Sequence, residues 1–325
     1  MNYIFITALL DLKIKGVLSN PVKITENTFL TNNSNHIEKF LKQNARISIG
    51  SIETGLLLNG SPVIFRELDV DGVPESHIEL QDFFRDALAF LTALWMFKDN
   101  SVNFELGFAI SQKKLHIHSN SMAFHYWTKT GEKDPMLIDQ DLLGDVASKC
   151  FNNFRGIKTK DEPVSVYQQK STSRLNVAVS LLQQARSTSD LGVKIANYCS
   201  FFESILSTSS SELSHQMAER AAFFLRNKPT ERLAHYKRSK RAYAVRSKIV
   251  HGDKISNGQL KDILDIADHC DEMARELLSL SLDNKEFNDA LKSNSNDDLD
   301  NLMLNKIFGI DNVISIASGD NREVV

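Results

Sequence analysis

The sequence predicts an α+β protein in which an N-terminal mixed α/β domain precedes an all-α helical bundle. Three observations carry this. Five of the six prolines and nine of the fourteen glycines fall before residue 165, so turn-forming residues crowd one half of the chain. From about Asn2 to Lys114 short β-type runs alternate with turn signals, whereas beyond Ser173 apolar residues recur every three or four positions. At 325 residues, 42% of them apolar, the chain is about twice the commonest domain size and can fill two cores.

In the first half, Arg46-Ile47-Ser48-Ile49 and Val63-Ile64-Phe65 read as strands, punctuated by Asn59-Gly60-Ser61-Pro62 and Asp71-Gly72. Between Gln81 and Phe97 the positions Phe83, Phe84, Leu88, Leu91, Leu94 and Trp95 follow a helical period, which predicts a buried amphipathic helix. Leu115-His116-Ile117-His118 returns to alternation, and Asp141 to Phe154 reads as a helix closing a domain of residues 1–158. The polar, proline-broken stretch around Lys160-Asp161-Glu162-Pro163 predicts a linker over 159–173.

The bundle then spans 174–283. Leu175, Ala178, Val179, Leu182 and Ala185 form one stripe; Leu191, Ile195, Tyr198, Phe202, Ile205 and Leu206 form a second behind an Asp190 cap. Ser209-Ser210-Ser211-Glu212 fits a capping box before a third helix carrying Leu213, Met217, Ala221 and Leu225. A fourth helix runs from about Glu231 to Val250 and stops at Gly252, where a residue without Cβ tolerates the left-handed conformation. Leu260, Ile263, Leu264, Ala267, Cys270, Leu277 and Leu278 mark a fifth. Residues 284–325 read as a C-terminal tail, polar at first and apolar from Leu302 to Ile316.

Composition excludes several functions. With 38 Lys plus Arg against 41 Asp plus Glu, the net charge of -3 rules out coating nucleic acid through bulk positive charge, so any polyanion site is local. Cys150, Cys199 and Cys270 are dispersed and odd in number, which fits neither a zinc ribbon nor a disulfide framework. Tyr3 to Leu10 lacks a basic n-region and Ala87 to Phe97 is too short for a bilayer, so the expectation is a cytoplasmic protein with no membrane partner. Gly-rich phosphate loops, GxSxG and HExxH are absent. His116, His118 and His125 cluster, but the expectation is a solvated strand edge with no metal and no cofactor.

The local charge lies on the fourth helix. Between Arg226 and Lys248 there are nine basic residues, among them Lys237, Arg238, Lys240, Arg241 and Lys248, against one acid, Glu231. Such a face attracts a phosphate backbone by counterion release. The alternative is a solvated face paired with Asp262, Asp265, Asp268, Asp271, Glu272 and Glu276 of the fifth helix.

Within it, Tyr243-Ala244-Val245-Arg246-Ser247-Lys248-Ile249-Val250-His251-Gly252 sets Arg246 five residues before His251. Five residues turn a helix by about 140°, so both side chains meet one phosphate only if the helix ends, the arginine bends back or a second copy contributes. A histidine moving protons beside a guanidinium that stabilises charge on phosphorus suffices to cleave RNA without metal. The substrate's own 2′-hydroxyl attacks, which leaves a 2′,3′-cyclic phosphate and a 5′-hydroxyl and spares DNA. The alternative for Arg246 and His251 is a capped helix end paired with Asp253 or Glu203.

Residues from about Arg174 to Leu282 resemble the HEPN superfamily of helical domains, and within it the ApeA-like group of bacterial defence proteins. The resemblance rests on Phe201-Phe202-Glu203-Ser204-Ile205-Leu206, on Glu212-Leu213 through Ala218-Glu219-Arg220-Ala221-Ala222, and on Tyr243-x-x-Arg246-Ser247-x-Ile249-Val250-His251-Gly252. It implies an HEPN-type bundle that forms a homodimer with two Arg-x4-His motifs facing across a cleft, commonly a metal-independent endoribonuclease. Arg246, Ser247 and His251 are then the catalytic candidates, with Glu203 holding the arginine. Tyr243 reads as core packing with its hydroxyl at the rim, and His215 as an exposed side chain. The expected function is an RNA-cleaving toxin or antiphage-defence enzyme of the abortive-infection kind, with a phage-derived trigger or an antitoxin as candidate partner. The runner-up is a non-catalytic HEPN module that binds RNA or acts as a scaffold.

Overall fold

Apolar residues on both faces of the first strand dictate a central position for it, and the computed structural model places it there. Described are residues 2–69, 76–111, 116–121, 125–153, 173–293 and 295–310. The chain divides into two compact units, 1–158 and 159–325. The expected linker lies outside the described residues except for Ser173, whose hydroxyl accepts from Asn176 N and caps a helix.

The first unit contains β1 (Asn2–Ala8), β2 (Leu12–Ile14), β3 (Val22–Lys23), β4 (Thr28–Thr31), α1 (Ser34–Glu38), α2 (Gln43–Ile49), α3 (Ser51–Leu58), β5 (Val63–Asp69), α4 (Ser76–Phe97), β6 (Leu106–Ser111), β7 (Ile117–Ser121), β8 (Met136–Ile138) and α5 (Gln140–Asn153). Six strands form an antiparallel sheet in the order β3-β4-β5-β1-β6-β7, while β2 and β8 pair in parallel. Side chains alternate across β1. Ile4 and Ile6 pack with Ile37, Leu41, Ala45 and Leu57 from α1 to α3, and Phe5 meets Phe83 of α4 on the other face. The sheet is thus covered on both sides.

One sequence expectation fails here. Arg46 to Ile49 is not a strand but the end of α2, because Ala45 and Ile49, four apart, are the buried positions while Ile47 stays 73% exposed. The apparent alternation of Ile47 and Ile49 was half of a helical pattern.

The sheet and α4 approach closely at Gly107 of β6, where a Cβ would lie 2.2 Å from Phe84 Cε1. Phe84 is itself buried and packed on Phe104, so it has nowhere to go. Gly107→Ala is expected to destabilise the unit by about 3 kcal/mol, the upper range for overpacking, measured by urea unfolding.

The second unit is helical: α6 (Arg174–Arg186), α7 (Leu191–Leu206), α8 (Leu213–Leu225), α9 (Pro229–His251), α10 (Asn257–Lys261), α11 (Ile263–Asp283), α12 (Lys285–Lys292) and α13 (Asn296–Phe308). α7 lies at its centre and touches α6, α8, α9 and α11. Asp190 Oδ1 accepts from Val193 N at 2.9 Å, the cap the sequence predicts.

The predicted capping box before α8 does not form. Glu212 adopts a left-handed φ of 50° and its side chain caps nothing, because Gln216 Nε2 reaches back to Ser209 Oγ and Ser211 O and occupies that turn. A capping box exists instead at Ser256 and Gln259, opening α10. The predicted fifth helix is therefore split at Asp262, which leaves Leu260 and Leu264 exposed and starts the buried stripe at Ile266.

Residues 284–310 hold two helices, α12 and α13, packed against α6, α8 and α11. Arg220 explains part of this. Its guanidinium donates to Leu206 O at the end of α7, to Thr208 Oγ1 and to Asp300 of α13, so one buried side chain satisfies a helix terminus and ties α13 to it. The apolar segment beyond Ile310 lies outside the described residues.

Candidate active site

α9 opens on Pro229, whose missing N–H costs nothing in a first turn, and closes on Gly252 at φ 74°. Gly252 N donates to Ile249 O and Asp253 N to Lys248 O, so two of the orphan carbonyls of the last turn are satisfied. This makes His251 the final helical residue, and it is exposed. Its imidazole has no hydrogen bond or ion pair among the described residues.

Arg246 points elsewhere. Its Nη2 lies 3.3 Å from each carboxylate oxygen of Glu203 on α7, and its guanidinium carbon sits 5.2 Å from the Tyr243 ring centre. Both partners of the pair are mostly buried, 21% and 17% exposed. One nitrogen faces both oxygens, so this is a loose pair rather than a two-bond fork, and the buried Arg246 Nε has no hydrogen-bond partner among the described residues. Burial, reinforced by the Glu203 charge, raises the Tyr243 phenol above its ordinary range. Beneath lies Cys199, whose thiol burial pushes well above the usual value.

The structure therefore brings Arg246, Glu203 and Tyr243 together and leaves His251 at the helix end. Ser247, one residue on, is half-buried.

The basic residues divide into two groups. Arg238 contacts Asp265 at 3.1 Å, Arg241 contacts Asp262 at 2.7 Å and Asp265 at 3.4 Å, and Arg226 contacts Glu276 at 2.8 Å. Arg238 and Arg241, read from sequence as RNA-binding, are thus engaged by the acidic face of α11, because packing turns that flank of α9 toward it. Lys237, Lys240 and Lys248 have no acidic partner among the described residues.

Tyr236 and Phe223 of this surface escaped the sequence reading, which named His215 and counted Arg232 without these neighbours. His215 Nδ1 lies 3.0 Å from the Tyr236 hydroxyl, with the rings edge-on, and Arg232 stacks 4.4 Å from the Phe223 ring centre. The signal was present in the four-residue spacing of Arg232, Tyr236 and Lys240.

Away from this helix, His116, just before the edge strand β7, and His118 on it bond to each other at 2.9 Å, and among the described residues no three metal-ligating side chains converge. No described helix is long and apolar enough to cross a membrane. Comparison with protein-family models, curated proteins and solved structures finds no significant match.

Proposed function

We propose that the chain is a dimeric, metal-independent endoribonuclease of HEPN type, resembling the ApeA-like defence proteins, with Arg246 and His251 as its reacting pair. The observation that carries this is the end of α9. A basic helix stops at a left-handed glycine with its histidine in solvent, while one turn back an arginine is seated over Tyr243 with its Nε unused. An arginine so held is a positioned cation for a phosphate rather than a mobile surface charge.

In the reaction, one imidazole takes the proton from the 2′-hydroxyl, whose oxygen attacks phosphorus and closes the 2′,3′-cyclic phosphate. The P–O5′ bond breaks and the leaving oxygen takes a proton from an imidazolium. The Arg246 guanidinium stabilises the added charge on the phosphoryl oxygens. In one chain the two side chains project about 140° apart, so a second copy, related by a two-fold axis, supplies the missing half. The first unit then serves as sensor, inhibitor or substrate selector, answering to a phage-derived trigger or an antitoxin, in the cytoplasm.

A second reading, a non-catalytic RNA-binding or scaffolding module, is favoured by one observation: Arg246 already has a carboxylate partner in Glu203. Incubating the purified chain with RNA in EDTA separates the two. Products ending in 2′,3′-cyclic phosphate and 5′-hydroxyl are expected; RNA bound but intact would support the module instead.

A further inference from the structure

Rotation along α9 sets Arg232, Lys240 and the tyrosines apart from the paired Arg238 and Arg241, with Lys237 and Lys248 between the two. At about 100° per residue, Arg232, Tyr236, Tyr243, Ser247 and Lys240 fall within about 80° of arc, with Arg246 and His251 on either side. Arg238 and Arg241 lie on the opposite flank, where Asp262 and Asp265 occupy them. The first flank faces α8 and α7. It meets few acids: Glu203 is committed to Arg246, and Glu219 lies 3.8 Å from His215 Nε2.

We infer that this flank, from Arg232 through Tyr236 and Lys240 to Ser247, with His215 of α8, is a binding track for single-stranded RNA leading to the Arg246–His251 end. The inference rests on the endoribonuclease reading and adds the substrate's form and the residues that hold it. From Arg232 to His251 the helix rises about 28 Å, enough for several nucleotides of an extended strand. Cations alternate with rings along it, which is the pattern single-strand binders use: ammonium and guanidinium groups follow phosphates while aromatic faces stack on bases. The Tyr236 ring is held by its hydroxyl on His215 Nδ1, so little freedom remains to be lost when a base stacks on it. Duplex RNA cannot use these rings, because its bases are already stacked and its major groove is deep and narrow.

The test uses the full chain and a fluorescent 12-nucleotide 2′-O-methyl RNA, which cannot be cut, with binding followed by anisotropy across a salt series. Tyr236→Ala is expected to weaken binding about tenfold, and Lys240→Gln to lower the slope of log K against log salt by about 0.7. Arg241→Gln, on the neutralised flank, should change neither, and the same sequence as duplex should bind less tightly. Lys240 has no acidic partner among the described residues to lose, so Lys240→Gln carries the test if Tyr236→Ala does not fold; Tyr236→Phe, which keeps the ring but not the hydroxyl that holds it, should bind more weakly than wild type and more tightly than Tyr236→Ala. Equal binding by wild type and Lys240→Gln with an unchanged slope, an equal loss in Arg241→Gln, or duplex binding as tight as single strand would overturn the track. So would a chain that binds a protein partner through this flank and no RNA. The enzyme reading is judged separately on a cleavable trinucleotide too short to use the track: His251-dependent cutting that survives Tyr236→Ala keeps it even if the track fails. Track binding without any cutting removes the enzyme and keeps the track.

Discussion

His251→Ala should lower the RNA-cleavage rate by about 10²- to 10⁴-fold while leaving the thermal unfolding midpoint where it is in the wild type. The imidazole is exposed at the end of α9 and has no partner among the described residues, so its removal opens no cavity and strands no polar group. Arg246→Ala behaves differently. Loss of a cation at phosphorus costs a comparable factor of about 10² to 10³ in rate. It also leaves the mostly buried Glu203 without its partner, which destabilises by about 1–3 kcal/mol once partial solvent screening is allowed for. Arg246→Lys keeps the charge but loses the planar group over Tyr243, and falls between. The measurements are single-turnover cleavage of a labelled RNA and calorimetric melting. Wild-type rates in both alanine variants would end the catalytic reading. A His251→Ala protein that melted early would show that the residue holds the helix end rather than moving protons.

The second large effect is an acid lability set inside the bundle. His235 of α9 and His269 of α11 are 4% and 2% exposed, with ring centres 4.7 Å apart. Ser239 Oγ lies 3.2 Å from His269 Nε2, while His235 Nε2 has no hydrogen-bond partner among the described residues. Burial first, then Arg226 and Arg238, lowers the His235 pKa to about 4. Burial first, then His235 and the arginines Arg238, Arg226 and Arg241, lowers His269 to about 3. Both folded values lie below the unfolded value of about 6.5, so the unfolded chain takes up these protons first as pH falls. Stability from this pair is therefore complete above pH 6.5 and is lost as pH drops toward 4 and then 3. Each histidine costs about 2.5 kcal/mol by pH 4.5, together a large part of the roughly 5–15 kcal/mol that holds a domain. Urea midpoints between pH 7.5 and 4.5 measure it. His235→Leu, which removes the imidazole lacking a partner, should cut the slope by about half; an unchanged slope would place the acid sensitivity elsewhere.

Much of the helical half was legible because its signals are local. Asp190 caps α7 and Gly252 ends α9 as expected, since a cap needs only its own turn and a left-handed residue needs only the absence of Cβ. Glu203 was expected to find an arginine because a carboxylate on a stripe of Phe201, Phe202, Ile205 and Leu206 cannot be left bare, and it found Arg246. The local reading failed where two local patterns compete: Gln216, from the first turn of α8, took the serine turn before it, and two isoleucines two apart in α2 imitated a strand.

By itself, then, the amino-acid order determined the Asp190 start of α7 and the Gly252 stop of α9, the run of cations between Arg226 and Lys248, and the five-residue step from Arg246 to His251. Only the tertiary structure decided which of those cations remain available. Intrinsic periodicity sets the angle between side chains on one helix, but the register and rotation of α9 against α11 choose which flank meets Asp262 and Asp265. That choice depends on how whole side-chain layers interlock, a property of the packed bundle and not of any one segment.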